Sequence, residues 1–195
     1  MDALNLYQTE FKKPSLNLYC LDFSGSMHGT GEKQLKEAME QILIQKNAEK
    51  NLLQANDGEI NIAILFDDHI MDIFYAEDDS DEALEKLCRK IGEFETGGGT
   101  DIYEPISKAY EIAYEYDLTE YTPAVILMTD GRSMENERIF DNALEEYGND
   151  IPVFSITFGD ADTAQLEVLA QKTQARVFDG TEDLTEAFRS VKGYN

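Results

Sequence analysis

The sequence predicts an α/β domain: a doubly wound, mostly parallel sheet with one antiparallel edge strand and helices on both faces. Three observations carry this. From Leu16 onward, short apolar runs alternate with longer segments of helical periodicity, the pattern of βα units joined by right-handed crossovers. Two apolar runs, residues 59–66 and 69–75, are separated only by Asp67 and Asp68, which is too short for a crossover and suits a hairpin. Finally, 195 residues with 42% hydrophobic and 10% aromatic content can fill the core of one domain, which argues against intrinsic disorder.

The elements follow in order. Residues 16–21 (LNLYCL) form the first strand, before a Ser- and Gly-rich loop. Residues 33–53 carry Leu35, Met39, Ile42 and Leu43 at helical spacing, and Asp57-Gly58 marks a turn. The hairpin of residues 59–75 supplies the antiparallel strand. Acidic residues 77–82 lead into a helix over 83–91, where they complement the helix dipole. After TGGGTD (residues 96–101) comes a helix over 103–116. Thr122–Thr129 (TPAVILMT) is the most apolar run, hence a central strand buried on both faces, with Pro123 tolerated near its start. A helix to about residue 147, a strand at 152–158, a helix at 163–172, a short strand at 176–178 and a last helix at 183–191 complete the series. Residues 1–15 read as an N-terminal extension, or a stub of a larger protein, ahead of a domain spanning 16–195.

Charge narrows the partners. Lys and Arg number 16 against 40 Asp and Glu, a net charge of −24. This disfavours nucleic acid, which is held by Lys and Arg displacing counterions, and disfavours docking on anionic lipid. It suits cations, basic partners and plain solubility. No apolar run approaches the roughly 18 residues that span a bilayer, so no direct membrane insertion is expected. The first residues (MDALNLYQTEFKK) lack a signal-peptide core. Cys20 and Cys88 make neither a disulfide framework nor a zinc site, and read as two buried thiols.

In an open α/β sheet, ligands bind beyond the carboxyl ends of the strands. Three loops there carry oxygen donors: Asp22-Phe23-Ser24-Gly25-Ser26 after the first strand, Thr100 after the glycines, and Asp130-Gly131 after the central strand. Two carboxylates and three hydroxyls are hard ligands, suited to Mg²⁺, Mn²⁺ or Ca²⁺ rather than zinc or copper. In an extended segment Asp22, Ser24 and Ser26 point the same way, and Gly25 permits a sharp bend. Two carboxylates only balance a divalent ion, leaving it electrophilic and open to an acidic group from outside.

Asp22-x-Ser24-x-Ser26, Thr100 in GGGTD and Asp130 in ILMTDG resemble the metal-ion-dependent adhesion site of von Willebrand factor type A domains, which share a Rossmann-like fold. The resemblance runs from about Leu16 onward and includes the antiparallel hairpin. It implies that Ser24, Ser26 and Thr100 contact the ion directly and that Asp22 and Asp130 do so directly or through water. It also implies that a Glu or Asp of a partner protein completes the coordination. Asp101, Gly25 and Gly131 are the positions expected just behind these ligands. In some members the last helix moves as affinity switches, which singles out residues 183–191. The final stretch is similar to type A domains of larger bacterial, envelope-tethered proteins, a lean toward an extracytoplasmic location.

Other readings compete. Residues 97–99 are glycines, yet neither a P-loop GxxxxGK[ST] nor GxGxxG is present. Asp101 fits either a position behind the metal or a helix N-terminal acid. Asp67, Asp68 and Asp72 read as solvated hairpin residues, His28 as an exposed loop residue, and His69 as carrying no signal. Tyr110, Tyr114 and Tyr116 read as helix packing residues. Besides a cation-dependent binding module, the motif admits a metal-dependent hydrolase or phosphotransferase. Against that, Ser24 stands where an aspartyl phosphatase wants a second carboxylate, and Arg132 and His28 are the few accessory groups. A metal-free scaffold is the third reading.

Overall fold

A computed structural model of the chain describes residues 13–45, 58–76, 78–131, 133–134, 136–158 and 161–180. The expected last helix (183–191), the N-terminal extension up to residue 12 and the end of the expected 33–53 helix lie outside the described residues. Six strands form one sheet: β1 (Ser15–Asp22), β2 (Ile60–Phe66), β3 (Ile70–Ala76), β4 (Thr122–Thr129), β5 (Val153–Thr157) and β6 (Val177–Asp179). Their order is β3-β2-β1-β4-β5-β6. All neighbours pair in parallel except β2 with β3, the expected hairpin. The helices are α1 (Thr30–Glu40), α2 (Asp81–Gly92), α3 (Tyr103–Ala113), α4 (Glu137–Tyr147) and α5 (Ala164–Lys172). Among the described residues, no helix is long and apolar enough to cross a membrane.

Alternation along the strands builds two cores. On one face, Tyr19, Leu21, Leu65, Ile126 and Met128 pack with Leu35 and Met39 of α1 and Leu84, Leu87 and Ile91 of α2. On the other, Leu18, Cys20, Ile62, Ile64, Val125 and Leu127 meet Ile106 and Tyr110 of α3, Phe140 of α4, and Leu166 and Leu169 of α5. With helices on both sides, β1 and β2 are buried along their whole length, as parallel strands must be. The edge strand β3 is mostly half-exposed.

Local chemistry sets the helix ends. Ser80 caps α2 by accepting the Ala83 N–H at 3.3 Å, with Asp81 and Glu82 in its first turn and Arg89 and Lys90 in its last, matching the dipole at both ends. Two expected helices are shorter or altered. α1 passes into a single π turn, Gln41–Gln45, which keeps Ile42 and Leu43 on the buried face. α3 stops at Ala113 because the chain tightens to i→i−3 bonds there, Glu115 N–H to Ile112 O and Tyr116 N–H to Ala113 O. Tyr114 and Tyr116 therefore lie beyond the helix; Tyr110 alone of the three is buried, its hydroxyl donating to Ile151 O at 2.6 Å.

Cys20 is buried, but Cys88 is only partly so, against the expectation of two buried thiols: it sits on the flank of α2 facing α1. Burial pushes the Cys88 thiol up to about 12, with Glu40 and Glu85 adding to the rise.

The arrangement positions a site. From β1 the chain proceeds to β2 on one side, while β4, on the other side of β1, leads away to β5 and β6. The β1/β4 boundary is thus the point where strand order reverses, and ligands of doubly wound sheets bind at its carboxyl end.

Candidate metal centre

Asp22 ends β1 and is fully buried. Its Oδ1 accepts the Ser24 N–H at 2.8 Å, and its Oδ2 accepts the Thr129 hydroxyl at 2.5 Å. The Thr129 oxygen in turn accepts the Gly131 N–H at 3.1 Å. One carboxylate thereby ties the loop after β1 to the end of β4. Burial pushes the Asp22 carboxyl up to about 6, opposed by the bonds from Ser24 and Thr129 and reinforced by the charge of Asp130.

The segment after Asp22 is not extended throughout. Ser24 keeps extended backbone (φ −63°, ψ 165°), and Gly25–Met27 then closes a short 3₁₀ turn held in the core by buried Met27. The turn replaces simple alternation as the device that aligns the donors: Ser24 Oγ and Ser26 Oγ lie 3.1 Å apart. Gly25 permits a close approach. Its N–H donates to Gly98 O at 3.2 Å, and a Cβ at Gly25 would sit 3.2 Å from the same oxygen.

The Thr100 loop is stitched down at several points. Gly97 N–H donates to Phe23 O at 2.8 Å and Asp101 N–H to Asp67 O at 2.8 Å. Gly98 has φ +66°, and a Cβ there would run into the Asp67 carboxylate. Thr100 itself is half-buried, and its carbonyl accepts the Met134 N–H at 2.9 Å. Asp101, expected in one of two roles, is a buried helix N-terminal acid. Its Oδ1 accepts the Tyr103 N–H at 2.9 Å and its Oδ2 the Asn136 side-chain amide at 2.8 Å.

Asp130 differs from its neighbours. Its Oδ1 is buried, yet has no hydrogen-bond partner among the described residues. A buried carboxylate oxygen without a donor is costly, and a cation would supply that partner next to Asp22, whose carboxyl feels the charge of Asp130. These donors fit a hard divalent ion. Gly131, with φ +91°, lets the chain turn away beneath Asp162, whose carbonyl oxygen would lie 2.5 Å from any added Cβ.

Sequence reasoning missed Thr129, Ser133, Asn136 and Gln165, and misplaced Asp67. Asp67 is buried because the Gly98 loop folds over it; it accepts the His69 N–H at 3.1 Å. Asp68 and Asp72 are exposed, as expected. His69 carries more than was expected of it: its Nδ1 lies 2.9 Å from Asp67 Oδ1 and 2.7 Å from Asp68 Oδ1. The potential ligand atoms of Asp67, Asp68 and His69 lie within 4.8 Å of one another. His28 is exposed, with Nδ1 3.0 Å from Thr96 Oγ1.

Comparison with known proteins agrees with this architecture. Residues 18–190 match the family model described as von Willebrand factor type A domain. A von Willebrand factor A domain-containing protein of Dictyostelium discoideum is 27% identical over 154 residues, covering 78% of this chain but only 16% of that protein. Among solved structures, a von Willebrand factor type A protein of Catenulispora acidiphila superposes with a TM-score of 0.69 at 18% identity, covering 92% of this chain and 42% of its own. The pilus adhesin SpaC of Lactobacillus rhamnosus GG superposes with a TM-score of 0.69 at 11% identity, over 95% of this chain and 31% of its own. At such identities the structural likeness concerns the fold.

Proposed function

The chain belongs to the von Willebrand factor type A family, and on that premise we propose that it is a divalent-cation-dependent protein-binding module. Asp22, Ser24, Ser26, Thr100 and Asp130 hold Mg²⁺, or Mn²⁺ or Ca²⁺, and the ion captures a Glu or Asp side chain of a partner protein. The observation that carries this reading is the buried Asp130 Oδ1, partnerless among the described residues, whose charge acts on the buried Asp22 carboxylate at the end of the loop that holds the Ser24–Ser26 hydroxyl pair. The ion supplies the positive charge that an acidic ligand needs: the protein at −24 repels such a ligand otherwise, so capture depends on the cation.

No catalytic role is proposed. Ser24 occupies the place of a second carboxylate nucleophile or base, and the nearest imidazole in sequence, His28, is engaged with Thr96. Adhesion is a reading consistent with a pilus adhesin among the structural relatives.

Calorimetric titration of Mg²⁺ and Mn²⁺ into chelator-stripped, dialysed protein tests the proposal, with Asp22→Ala and Thr100→Ala in parallel. One saturable site in the wild type, lost in both variants, is expected. Matching curves in all three proteins mean diffuse surface binding and overturn it.

A further inference from the structure

We propose that Gln165 and Ser133 are positioning residues that fix Thr100 relative to Asp130, an inference that rests on the metal reading above. Between Gly131 and the start of α4 at Glu137, the described residues Ser133, Met134 and Asn136 belong to no helix or strand. Their backbone polar groups must find partners elsewhere. Gln165, in the first turn of α5, supplies them: its Oε1 accepts the Ser133 N–H at 3.1 Å and its Nε2 donates to Ser133 O at 3.4 Å. One side-chain amide thus reads both faces of one peptide residue, as a neighbouring strand would.

Ser133 passes the constraint on. Its Oγ accepts the Ile102 N–H at 3.0 Å and lies 3.5 Å from Thr100 O, while the next residue, Met134, donates its N–H to that same carbonyl. Asn136 adds a second tie through Asp101. The Thr100 loop is therefore pinned to the segment leaving Asp130, and that segment to α5, whose Leu166 and Leu169 are buried in the core. A glutamate at 165 would lose the donor to Ser133 O and add charge near Asp130; the amide is the group the geometry uses.

The experiment pairs metal affinity with stability in chelator for wild type, Gln165→Met, Ser133→Ala and Ser133→Thr. Gln165→Met keeps length and packing but removes the amide; Ser133→Thr keeps the hydroxyl. Gln165→Met and Ser133→Ala are expected to weaken Mg²⁺ at least ~10-fold, the scale of residues that orient metal ligands, with Ser133→Thr near wild type. In the metal-free protein, hydrogen exchange at the Ile102 amide should quicken in Ser133→Ala and not in Ser133→Thr. Wild-type affinity in Gln165→Met and Ser133→Ala, whatever their melting temperatures, overturns the inference and leaves the metal reading intact. Absence of a saturable site in the wild type overturns the metal reading and the inference with it.

Discussion

Two groups of carboxylates face the same end of the sheet and are built on opposite principles. At the β2–β3 turn, Asp67 and Asp68 have their partners within reach: His69 bridges both through Nδ1, the His69 N–H bonds Asp67, and the Gly99 backbone bonds Asp68. At the β1/β4 boundary, Asp22 is satisfied by Ser24 and Thr129, but Asp130 keeps a buried oxygen with no partner among the described residues. The site proposed above therefore rests not on crowded acids but on a shortfall of donors at a buried oxygen.

The largest effect should separate the two groups outright. Asp130→Ala is expected to weaken Mg²⁺ by more than about 100-fold, beyond the loss typical of a residue that merely supports a ligand, whereas Asp68→Ala leaves the affinity at its wild-type value. Calorimetry of the two variants checks this. Loss of binding in Asp68→Ala with retention in Asp130→Ala would move the site to the turn and reverse the comparison.

A second effect follows from the burial of Asp22. Its carboxyl is raised from 3.8 to about 6, chiefly by desolvation, so the folded state holds the proton more tightly than the unfolded chain. The stability this confers is fully present below pH 3.8 and is lost as pH rises through about 6. In chelator, Asp22→Asn removes that loss, stabilising the protein by up to roughly 3 kcal/mol above pH 7 relative to wild type, with the gap shrinking toward pH 4. Urea unfolding at pH 4, 6 and 8 reads the gap directly. A gap independent of pH would mean that Asp22 is not desolvated. With Mg²⁺ present the advantage should invert, because the variant lacks a carboxylate for the ion.

The same contrast explains what the sequence disclosed. Thr122–Thr129 was legible to the residue because an unbroken apolar run ends abruptly at Asp130. The end of α3 was not, because Tyr116 prolongs the apolar period past the last i→i−4 bond, from Tyr114 N–H to Tyr110 O, and only backbone geometry shows the i→i−3 closure. Asp22, Ser24, Ser26, Thr100 and Asp130 can be proposed from the sequence because their residue types and order are the signal. Gln165 and Ser133, 32 positions apart, act on each other's backbone, a contact that imposes no residue pattern along the chain. Asp67 was misplaced for a related reason: whether a residue of the short 67–69 turn meets water depends on which loop folds over it, here the one carrying Gly98.

The smallest effect tests whether the turn is the closed unit the comparison requires. His69 is held above its ordinary 6.5, first by its hydrogen bond to Asp68 and then by the charge of Asp67. A histidine that gains partners on folding contributes stability below its unfolded pKa and loses it as pH rises through the folded value. Because the imidazole is exposed, solvent screening keeps that contribution small, so the informative readout is the titration itself. The protein has two histidines, which His69→Gln assigns in an NMR titration. The His69 midpoint is expected above 6.5 in the wild type and lower in Asp68→Asn, with Mg²⁺ affinity unchanged across that range of pH apart from the titration of Asp22. A midpoint at or below 6.5 would mean that the two carboxylates do not share the imidazolium. They would then be donors in want of a cation, like Asp130, and the distinction between the two ends of the loop system would collapse.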